Sequence, residues 1–538
     1  MATKKRSVRA VRAAASASTM KPLAGKASRG KEWDPSAAPA LPAVAEPVRI
    51  NAPRPSSERY PIPNATFQAL KERAPKAKLP KKDATIARDS TRKKEEVAAM
   101  AASSAPVLGP GLPTAATPAV SKNFAGIAAT GWIPPDCTMA AGPEHVLLSV
   151  NSSVAVHDKD TGAVLLQSTL TQWFANMVPN FTIFDPKTLY DQHAGRWVLL
   201  AVAFRENPNK SVFLLSVSTG PNPLGTWRNY QFDAMLDGAI ATNNWADFPA
   251  LGVDNQAFYF TANMFAFGGD FQYAKIRVVP KAGPYSGATA TFTDFVKMKN
   301  ADDSLCFTIQ PCHTFGAPQV EYLVNTAFPS GNYVTLWHIT SPNTSPTLTS
   351  VNVPVSPYNL APNADQQGGA PPLNTGDVRV LHAVFRGDSV WTAFTTAHNW
   401  GGTTNRAAVQ WMQLRAAAST LVQQGVFGAA AQHCFYPAPC PDNNGNMVLV
   451  FSRSGPGEFG SVYYTGRKST DPLGALQPSS LLKAGIEHYQ ALDGSGRNRW
   501  GDYSGIAADP ANPKVIWFYG VFAAPANQWG TWVGSSFF

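Results

Sequence analysis

Four aspartates precede short apolar segments and are the first candidates for chemistry: Asp136, Asp185, Asp247 and Asp502. Aromatic residues lie close to such segments in the sequence, and they are Trp245, Phe248, Tyr436, Trp500 and Tyr503. Carboxylates and aromatic rings together suit a carbohydrate site, because sugar rings stack on aromatic faces while sugar hydroxyls hydrogen-bond to carboxylates. A pair of carboxylates could also act as acid and base in glycoside cleavage.

The segment Arg499-Trp-Gly-Asp-Tyr503 places a cation, a carboxylate and two aromatic rings within five residues. We therefore expect it to be the centre of a ligand site. The full predicted ligand-binding set is Asp502, Arg499, Trp500, Tyr503, Asp247, Trp245, Asp136 and Asp185. An alternative remains open, in which each aspartate caps its own turn by accepting hydrogen bonds from backbone N–H groups. Repetition of the aspartate along the chain favours that scaffold role.

The five cysteines include two pairs with the same spacing. Cys306 and Cys312 enclose the same Cys-Phe-x-x-x-Pro-Cys pattern as Cys434 and Cys440. We predict two local disulfides from this pattern and expect Cys137 to be buried and unpaired. Disulfides would indicate an extracellular or cell-envelope location. Zinc is the alternative, since His313 and His433 adjoin cysteines, but the spacing of the cysteines is wider than in most zinc ligand turns. We predict no metal and no cofactor.

Composition limits the elements that can position these residues. The chain has 538 residues, with 44% hydrophobic and only 15% charged side chains, and it contains 41 Gly and 45 Pro. This mixture is typical of many short strands joined by turns, and it excludes a coiled coil. No apolar run approaches the length of about 20 residues that a transmembrane helix needs.

The aspartate-containing segments belong to a repeat that runs through the chain. The repeat is clearest at Asp247-Phe-Pro-Ala-Leu-Gly-Val-Asp254, and its other copies begin at Asp136, Asp185, Phe435 and Asp502, with weaker copies near Gly316 and Asp377. The copies recur every 49 to 69 residues, which fits blades of four antiparallel strands. The fold prediction is an all-β protein with one seven-bladed β-propeller over 121–538; six or eight blades are the alternatives.

A pair of strands is predicted after each copy of the repeat. The pairs are His145–Val150 with Val154–His157, Trp197–Phe204 with Val212–Ser218, Ala257–Asn263 with Gln272–Val279, Glu321–Asn325 with Tyr333–Ile339, Ser389–Thr395 with Ala408–Leu414, Met447–Ser452 with Ser461–Gly466, and Val515–Phe522 with Gly530–Val533. A propeller ring must also close. We expect Asn123–Trp132 to pair with the C-terminal Trp529–Phe538 as the closing strand.

Several runs in this region resemble a group of poorly characterised bacterial propeller-like proteins. They are Asn123-Phe-Ala-Gly126, Pro134-Pro-Asp136, Asp158-Lys-Asp-Thr-Gly162 and Arg499-Trp-Gly-Asp-Tyr-Ser-Gly505. The group is distantly similar to sialidase-like propellers with aspartate-box turns. Ser218–Trp227 matches that turn only in part, because Asn222 stands where an Asp is usual. The resemblance covers 121–538 and implies a propeller fold without an established activity.

A sialidase-like enzyme would need three arginines, a Tyr/Glu nucleophile pair and an aspartic acid. The residues that could contribute are Arg196, Arg205, Arg386, Arg499, Tyr503 and Glu487. No local spacing links them. The sequence also has no Gly-x-Ser-x-Gly, no phosphate-binding glycine loop and no His-Glu-x-x-His motif.

The N-terminal residues differ in charge from the rest. Residues 1–100 contain 22 basic and 9 acidic side chains, whereas the remaining residues contain 23 basic and 26 acidic ones. This Pro- and Ala-rich segment cannot bury enough apolar surface to offset its ordering entropy, so we predict that 1–120 is a disordered basic tail. No secretory signal peptide is expected at its start. Such a tail favours binding to a polyanionic surface.

These observations lead to a non-catalytic hypothesis. We expect an exported or surface-associated monomer whose propeller rim binds a glycan or protein ligand. The alternative hypothesis is a glycoside hydrolase of sialidase-like architecture. The two differ in what the site must contain: an enzyme needs two carboxylates near cationic groups in one cleft, and a binding module needs an open aromatic patch.

Overall fold

The computed structural model describes residues 18–20, 23–24, 48–51, 117–175, 177–402, 404–493 and 496–538. These residues form an all-β propeller built from antiparallel sheets. Most of the predicted tail 1–120 lies outside the described residues. Its described parts before residue 117 are three short strands, β1 (Ser18–Met20), β2 (Leu23–Ala24) and β3 (Val48–Asn51).

Three sheets have four strands each. The last sheet of the chain contains the closing strand β4 (Val120–Ala125) together with β32 (Gly505–Ala508), β33 (Val515–Ala524) and β34 (Gln528–Phe537). The first sheet comprises β5 (Thr138–Ala141), β6 (His145–Val150), β7 (Ser153–Asp158) and β8 (Val164–Thr169). The third comprises β28 (His433–Pro441), β29 (Met447–Gly455), β30 (Glu458–Arg467) and β31 (Ser480–Lys483).

Two sheets have five strands because a short tail strand pairs with their outer edge. One comprises β9 (Thr182–Asp191), β10 (Arg196–Glu206), β11 (Asn209–Ser218) and β12 (Thr226–Asp233), with β3 at its edge. The other comprises β19 (Gln310–Pro311), β21 (Val320–Thr326), β22 (Gly331–Thr340) and β23 (Thr347–Tyr358), with β1 at its edge. A separate hairpin consists of β13 (Leu236–Asp237) and β14 (Ile240–Ala241).

A ten-stranded sheet contains two further series of four strands. The first series is β15 (Asn244–Val253), β16 (Ala257–Ala266), β17 (Phe271–Pro280) and β18 (Thr293–Val296), with β2 at its edge. The second is β24 (His382–Arg386), β25 (Ser389–His398), β26 (Arg406–Arg415) and β27 (Thr420–Phe427). Strand β20 (His313–Thr314) pairs parallel with both β15 and β24 and joins the two series. Two short helices, α1 (Leu170–Trp173) and α2 (Ala282–Ser286), lie in connections.

The predicted propeller is therefore confirmed, whereas seven separate blades are not. Five discrete sheets of four or five strands have the form of a blade, and the remaining two series are merged through His313 and Thr314. All seven predicted strand pairs form. The predicted closure also forms, since Asn123, Phe124 and Ala125 pair with the C-terminal strand β34.

The hydrophobic core is divided among the interfaces between consecutive series. Each of the seven clusters of buried side chains draws mainly on two neighbouring series. One cluster joins the last sheet, through Tyr519 and Val533, to Val146 and Leu148 of the first. Because each sheet is covered on both faces, its strands are continuously apolar, as in the buried run Trp197–Phe204.

The predicted disulfides are wrong, because all five cysteines are buried thiols. Cys434 and Cys440 lie six residues apart on β28, and a strand of that length spans about 20 Å, whereas a disulfide joins Cα atoms less than about 7 Å apart. Cys306 and Cys312 likewise belong to different hydrophobic clusters. The shared spacing reflects equivalent positions in two series, since Cys434 and Cys440 lie on β28 whereas Cys306 and Cys312 lie on either side of β19.

Candidate functional site

Five residues in or just before the first strand of a series have a left-handed backbone. The first strand of each series is the one nearest the axis of the ring, and we call it the central strand. They are Asp136, Asp185, Phe248, Thr308 and Tyr436, with φ between 50° and 57°. Side chains other than glycine rarely adopt this conformation, which costs of order 1 kcal/mol or more and persists only where surrounding contacts hold it. Three of them, Asp185, Phe248 and Tyr436, lie where the register of the strand shifts at a bulge. A bulge changes the direction in which a side chain points, and these three bulges lie on strands that surround the axis of the ring.

Polar side chains of the preceding series hold this backbone in place. The amide oxygen of Asn151 accepts the N–H of Asp185 at 2.7 Å, and Asn263 accepts the N–H of Thr308 at 2.8 Å. The hydroxyl of Thr395 accepts the N–H of Tyr436 at 3.1 Å. The repeat found in the sequence therefore marks positions at which hydrogen bonds connect neighbouring series.

The sequence alignment of this repeat is wrong by one residue in two series. In one of them the left-handed residue is Tyr436, not Phe435. Phe248, not Asp247, occupies the position of Asp136 and Asp185, and Asp502 does not have the left-handed backbone. The error arose because an aspartate was used as the marker. The shared physical feature is a strained backbone position that accepts Asp, Phe, Thr or Tyr when the neighbouring series supplies a hydrogen-bond acceptor.

Asp136 and Asp185 form the inner part of a charged cluster. Asn151 donates a hydrogen bond to Asp136 Oδ2, while Asp136 Oδ1 is buried without a hydrogen-bond partner among the described residues. Asp185 Oδ2 accepts the N–H of Phe248 at 3.2 Å and the hydroxyl of Tyr503 at 3.4 Å. Burial raises the pKa of Asp136 well above its usual value, and the charges of Asp502 and Asp185 raise it further. Asp136 therefore holds a proton at a pH where an exposed aspartate has lost it.

Lys187 follows Asp185 by two residues and lies in the same cluster. Its Nζ is 2.7 Å from the centroid of the Tyr503 ring and 5.7 Å from that of Phe248. Burial lowers the pKa of Lys187 to about 7, although the charges of Asp185, Asp136 and Asp502 favour the ammonium form. The burial of Tyr503 and the same carboxylates raise its pKa well above 10.

A second cation–ring stack covers Phe248. The Arg379 guanidinium lies 4.1 Å from the Phe248 centroid and 4.9 Å from that of Phe307, and it forms a two-point ion pair with Asp377. Burial alone would lower the pKa of Arg379, but the paired Asp377 carboxylate raises it above the usual value. Arg379 is therefore a fixed positive charge at the axis.

Two ion pairs of the cluster reach solvent, Arg499–Asp502 and Arg379–Asp377, and the side chains of the second pair are 19% and 11% exposed. Arg499 donates a hydrogen bond to Asp502 at 3.1 Å, and the exposed fractions of their side chains are 12% and 19%. Asp136, Asp185 and Tyr503 behind them are buried. A ligand would therefore meet these part-exposed ion pairs before the buried residues.

The structure brings together five of the eight predicted ligand-binding residues: Asp136, Asp185, Arg499, Asp502 and Tyr503. Asp247 lies next to them and is 1% exposed. Trp245 and Trp500 are fully buried in interfaces between series, where Trp500 donates a hydrogen bond to Ser452 at 3.0 Å. These two rings stabilise the scaffold and present no surface on which a sugar could stack.

The axis also contains a narrow cavity of about 60 Å³. The central strands of several series line it, and its polar lining includes Thr138, Lys187, Gln310, His313, His382 and Ser504. Within the described ranges, no three His, Cys, Asp or Glu side chains gather in a way that could hold a metal ion. The zinc alternative based on His313 and His433 therefore finds no support.

Sequence reasoning missed Lys187 and Arg379. Lys187 stands two residues after a left-handed aspartate, where the other series have Thr138, Ala250, Gln310 and Ala438. A single basic residue at a position otherwise occupied by small or uncharged residues was the available signal. Arg379 carried no comparable signal, because its segment lacks a clear copy of the repeat.

Comparisons with known proteins show no relative by sequence: no family model and no curated protein matches the chain. Solved structures that match include a chain of the mitotic checkpoint complex, at 11% identity and a TM-score of 0.39, covering 80% of this chain and 98% of that one. NanB with optactamide matches at 10% identity and a TM-score of 0.37, covering 82% of this chain and 72% of that one. A mutant Trypanosoma rangeli sialidase with trans-sialidase activity matches at 11% identity and a TM-score of 0.31, covering 72% of this chain and 57% of that one.

Neighbours of this kind include sialidase-like and other propellers. Their TM-scores are too low to transfer a residue or an activity, and the predicted bacterial relationship stays a prediction. No helix in the described part of the chain has the length and hydropathy that a bilayer crossing requires.

Proposed function

We propose that the chain is a non-catalytic β-propeller of seven blades that binds a hydroxyl-rich ligand, a glycan or a polar segment of a protein, at one end of its axis. The single observation that carries the proposal is the Arg499–Asp502 pair, which is part-exposed in front of a buried charged cluster. Carboxylates and a guanidinium offer acceptors and donors to hydroxyl groups in fixed positions.

Burial restricts the form of this binding. The aromatic rings of the cluster are covered, with Tyr503 and Tyr436 each 3% exposed and Phe248 4% exposed. Affinity would therefore come from hydrogen bonds to Arg499 and Asp502 rather than from an open stacking platform. This differs from the aromatic rim that the sequence suggested.

The test is a glycan array probed with the full chain, followed by titration of any glycan that binds. Asp502→Asn and Arg499→Gln should each weaken binding at least about tenfold, because each removes a charged hydrogen-bond partner worth about 1.5–3 kcal/mol. The matched controls are Asp388→Asn and Arg415→Gln, which alter an Arg–Asp pair of 57% and 46% exposure outside the cluster. Equal losses in both pairs would contradict the proposal.

A glycoside hydrolase is the second candidate, and one observation favours it. Asp136, with its raised pKa, shares a cluster with two further carboxylates and Arg499, as an acid–base pair would require. Fluorogenic glycosides, including a sialoside, test this directly. Turnover that is lost in Asp136→Asn and retained in Asp388→Asn would establish catalysis and overturn the binding proposal.

Two further parts of the proposal concern the location of the protein and the function of its tail. Because the cysteines are thiols, they give no support to an extracellular or cell-envelope site, which we retain only as a proposal. The charge of residues 1–100 supports binding to a polyanion. Retention on heparin that falls with salt and is lost when the lysines and arginines of 1–31 are changed to glutamine would support it.

A further inference from the structure

Lys187 differs from every other buried lysine of the described chain. Lys159 Nζ donates hydrogen bonds to Gly142 O and Asp509, and Lys275 Nζ donates to Ala234 O and Leu236 O. Lys281 Nζ lies 2.5 Å from Asp191. Lys187 is 9% exposed, and the direct partners of its Nζ among the described residues are the rings of Tyr503 and Phe248.

The Lys187 side chain also lines the axial cavity. A cavity of about 60 Å³ holds several water-sized molecules, since one water needs about 10–15 Å³ measured in this way. The polar residues Thr138, Thr188 and Ser504 line the same space. An amine that is held without hydrogen bonds beside such a space has its lone pair available when it is neutral.

A buried amine of this kind is a nucleophile near neutral pH. Burial lowers the pKa of Lys187 to about 7, so a large fraction of it is neutral where an exposed lysine is almost wholly protonated. The groups that face it are Asp136, Cys137, Asp185, Asp502 and Tyr503, together with His382 across the axis. The carboxylates of Asp185 and Asp502 favour a positively charged product over a negative one.

We propose that Lys187 is a modification site at which a small uncharged aldehyde forms an imine within the axial cavity. The amine nitrogen attacks the carbonyl carbon, and a C–N bond forms as the carbonyl oxygen takes up a proton. Loss of that oxygen as water leaves a C=N bond, and the protonated imine keeps the positive charge beside Asp185. The condensation needs no oxidant or reductant. Lys187 belongs to the same charged cluster as the proposed ligand pair. Imine formation does not depend on what Arg499 and Asp502 bind, so the two proposals can fail independently.

The experiment traps the imine. The full chain is incubated with acetaldehyde and sodium cyanoborohydride at pH 7, and peptide mass spectrometry measures ethylation at each lysine. Lys299, whose side chain is 58% exposed, serves as the internal reference. We expect Lys187 to be labelled at least about tenfold faster than Lys299 at pH 7 and the ratio to fall towards one or below as pH approaches 10.

Two further reagents test the cavity. Benzaldehyde is bulkier than acetaldehyde, so it should label Lys187 less, relative to Lys299, than acetaldehyde does. The anion glyoxylate should also label Lys187 less than acetaldehyde does because of the carboxylates. In Lys187→Met, labelling of the peptide that contains residue 187 should be lost and labelling of the other peptides should not change. If that variant does not fold, the ratio of Lys187 to Lys299 labelling in the unmodified protein still tests the proposal. Labelling of Lys299 without Lys187 at pH 7, or equal labelling by benzaldehyde and acetaldehyde, would overturn the proposal.

Discussion

Two regions of the molecule bury charge in opposite ways. Near the β13–β14 hairpin, Arg277 forms two hydrogen bonds with Asp294 and others with Asp233 O and Leu236 O, and both charged side chains are fully buried. At the axis, Asp136 has an oxygen without a partner among the described residues, and Lys187 faces aromatic rings. The first region satisfies its charges, whereas the second leaves hydrogen-bonding capacity unused.

The difference separates scaffold from candidate site. A buried ion pair whose donors and acceptors are all engaged fixes one arrangement, here that of the hairpin against β17 and β18. A buried charge without such partners reduces stability, and such groups with shifted pKa values concentrate at functional sites. We therefore assign Arg277 to structure and keep the axial cluster as the candidate site of the proposed function.

The largest effect should come from breaking the satisfied region. Arg277→Met leaves the Asp294 carboxylate buried without its partner, and we expect it to lower the free energy of unfolding by about 3–5 kcal/mol. Lys187→Met removes an amine whose direct neighbours are aromatic rings and should change the free energy of unfolding by less than about 1 kcal/mol at pH 7. Urea unfolding followed by tryptophan fluorescence measures both. Equal losses would remove the distinction between the two regions.

The pH dependence sharpens the same comparison. Because the pKa of Lys187 is lowered on folding, the unfolded chain holds more protons than the folded one between pH 7 and the usual lysine value, and stability rises with pH in that window. The difference in free energy of unfolding between the unmodified protein and Lys187→Met should increase by at most about 1.4 kcal/mol per pH unit from pH 7 to 9. Arg277→Met should show no such slope relative to the unmodified protein. A flat difference for Lys187→Met would count against the lowered pKa.

Two equivalent asparagines offer a smaller, matched test. Asn263→Ala and Asn151→Ala each leave a buried N–H of a left-handed residue unpaired, so each should lower the free energy of unfolding by about 1–3 kcal/mol. Only Asn151 also holds Asp136, so only its loss should weaken ligand binding. Binding that falls equally in both variants would indicate a general effect of the scaffold.

The smallest expected effect is none. All five cysteines are thiols, so a reducing agent should leave the melting temperature unchanged. Thiol titration should give five groups in denaturant and almost none in the native protein, because all five are buried. A melting temperature that falls on reduction would restore the disulfide prediction.

The scaffold could be predicted further than the site. Strand pairs such as Trp197–Phe204 with Val212–Ser218 follow from continuous apolar runs bounded by turns, because each sheet is buried on both faces. The closing pair of Phe124 and Val533 followed from the need to seal the ring. No feature of the sequence indicated that two series merge through β20, because only His313 and Thr314 form the connection.

The site was predictable where residue type carried the chemistry. Asp136, Asp185 and the Arg499–Tyr503 segment were found as carboxylates beside cationic and aromatic residues, and the structure brings them together. Trp500 and Trp245 were assigned to the ligand because a sequence does not show which face of a strand is covered. The cysteines were misread because a shared spacing indicates equivalent positions in two series and does not fix the distance between two thiols.

The most direct test of the account is the titration of Lys187 itself. In protein labelled with ¹³C at lysine Cε, the resonance absent from Lys187→Met reports this side chain, and its chemical shift can be followed from pH 5 to 11. The unsatisfied axial cluster predicts a midpoint near 7. A midpoint near 10, in common with the exposed lysines, would show that the ammonium is fully compensated and would contradict the distinction between the two regions.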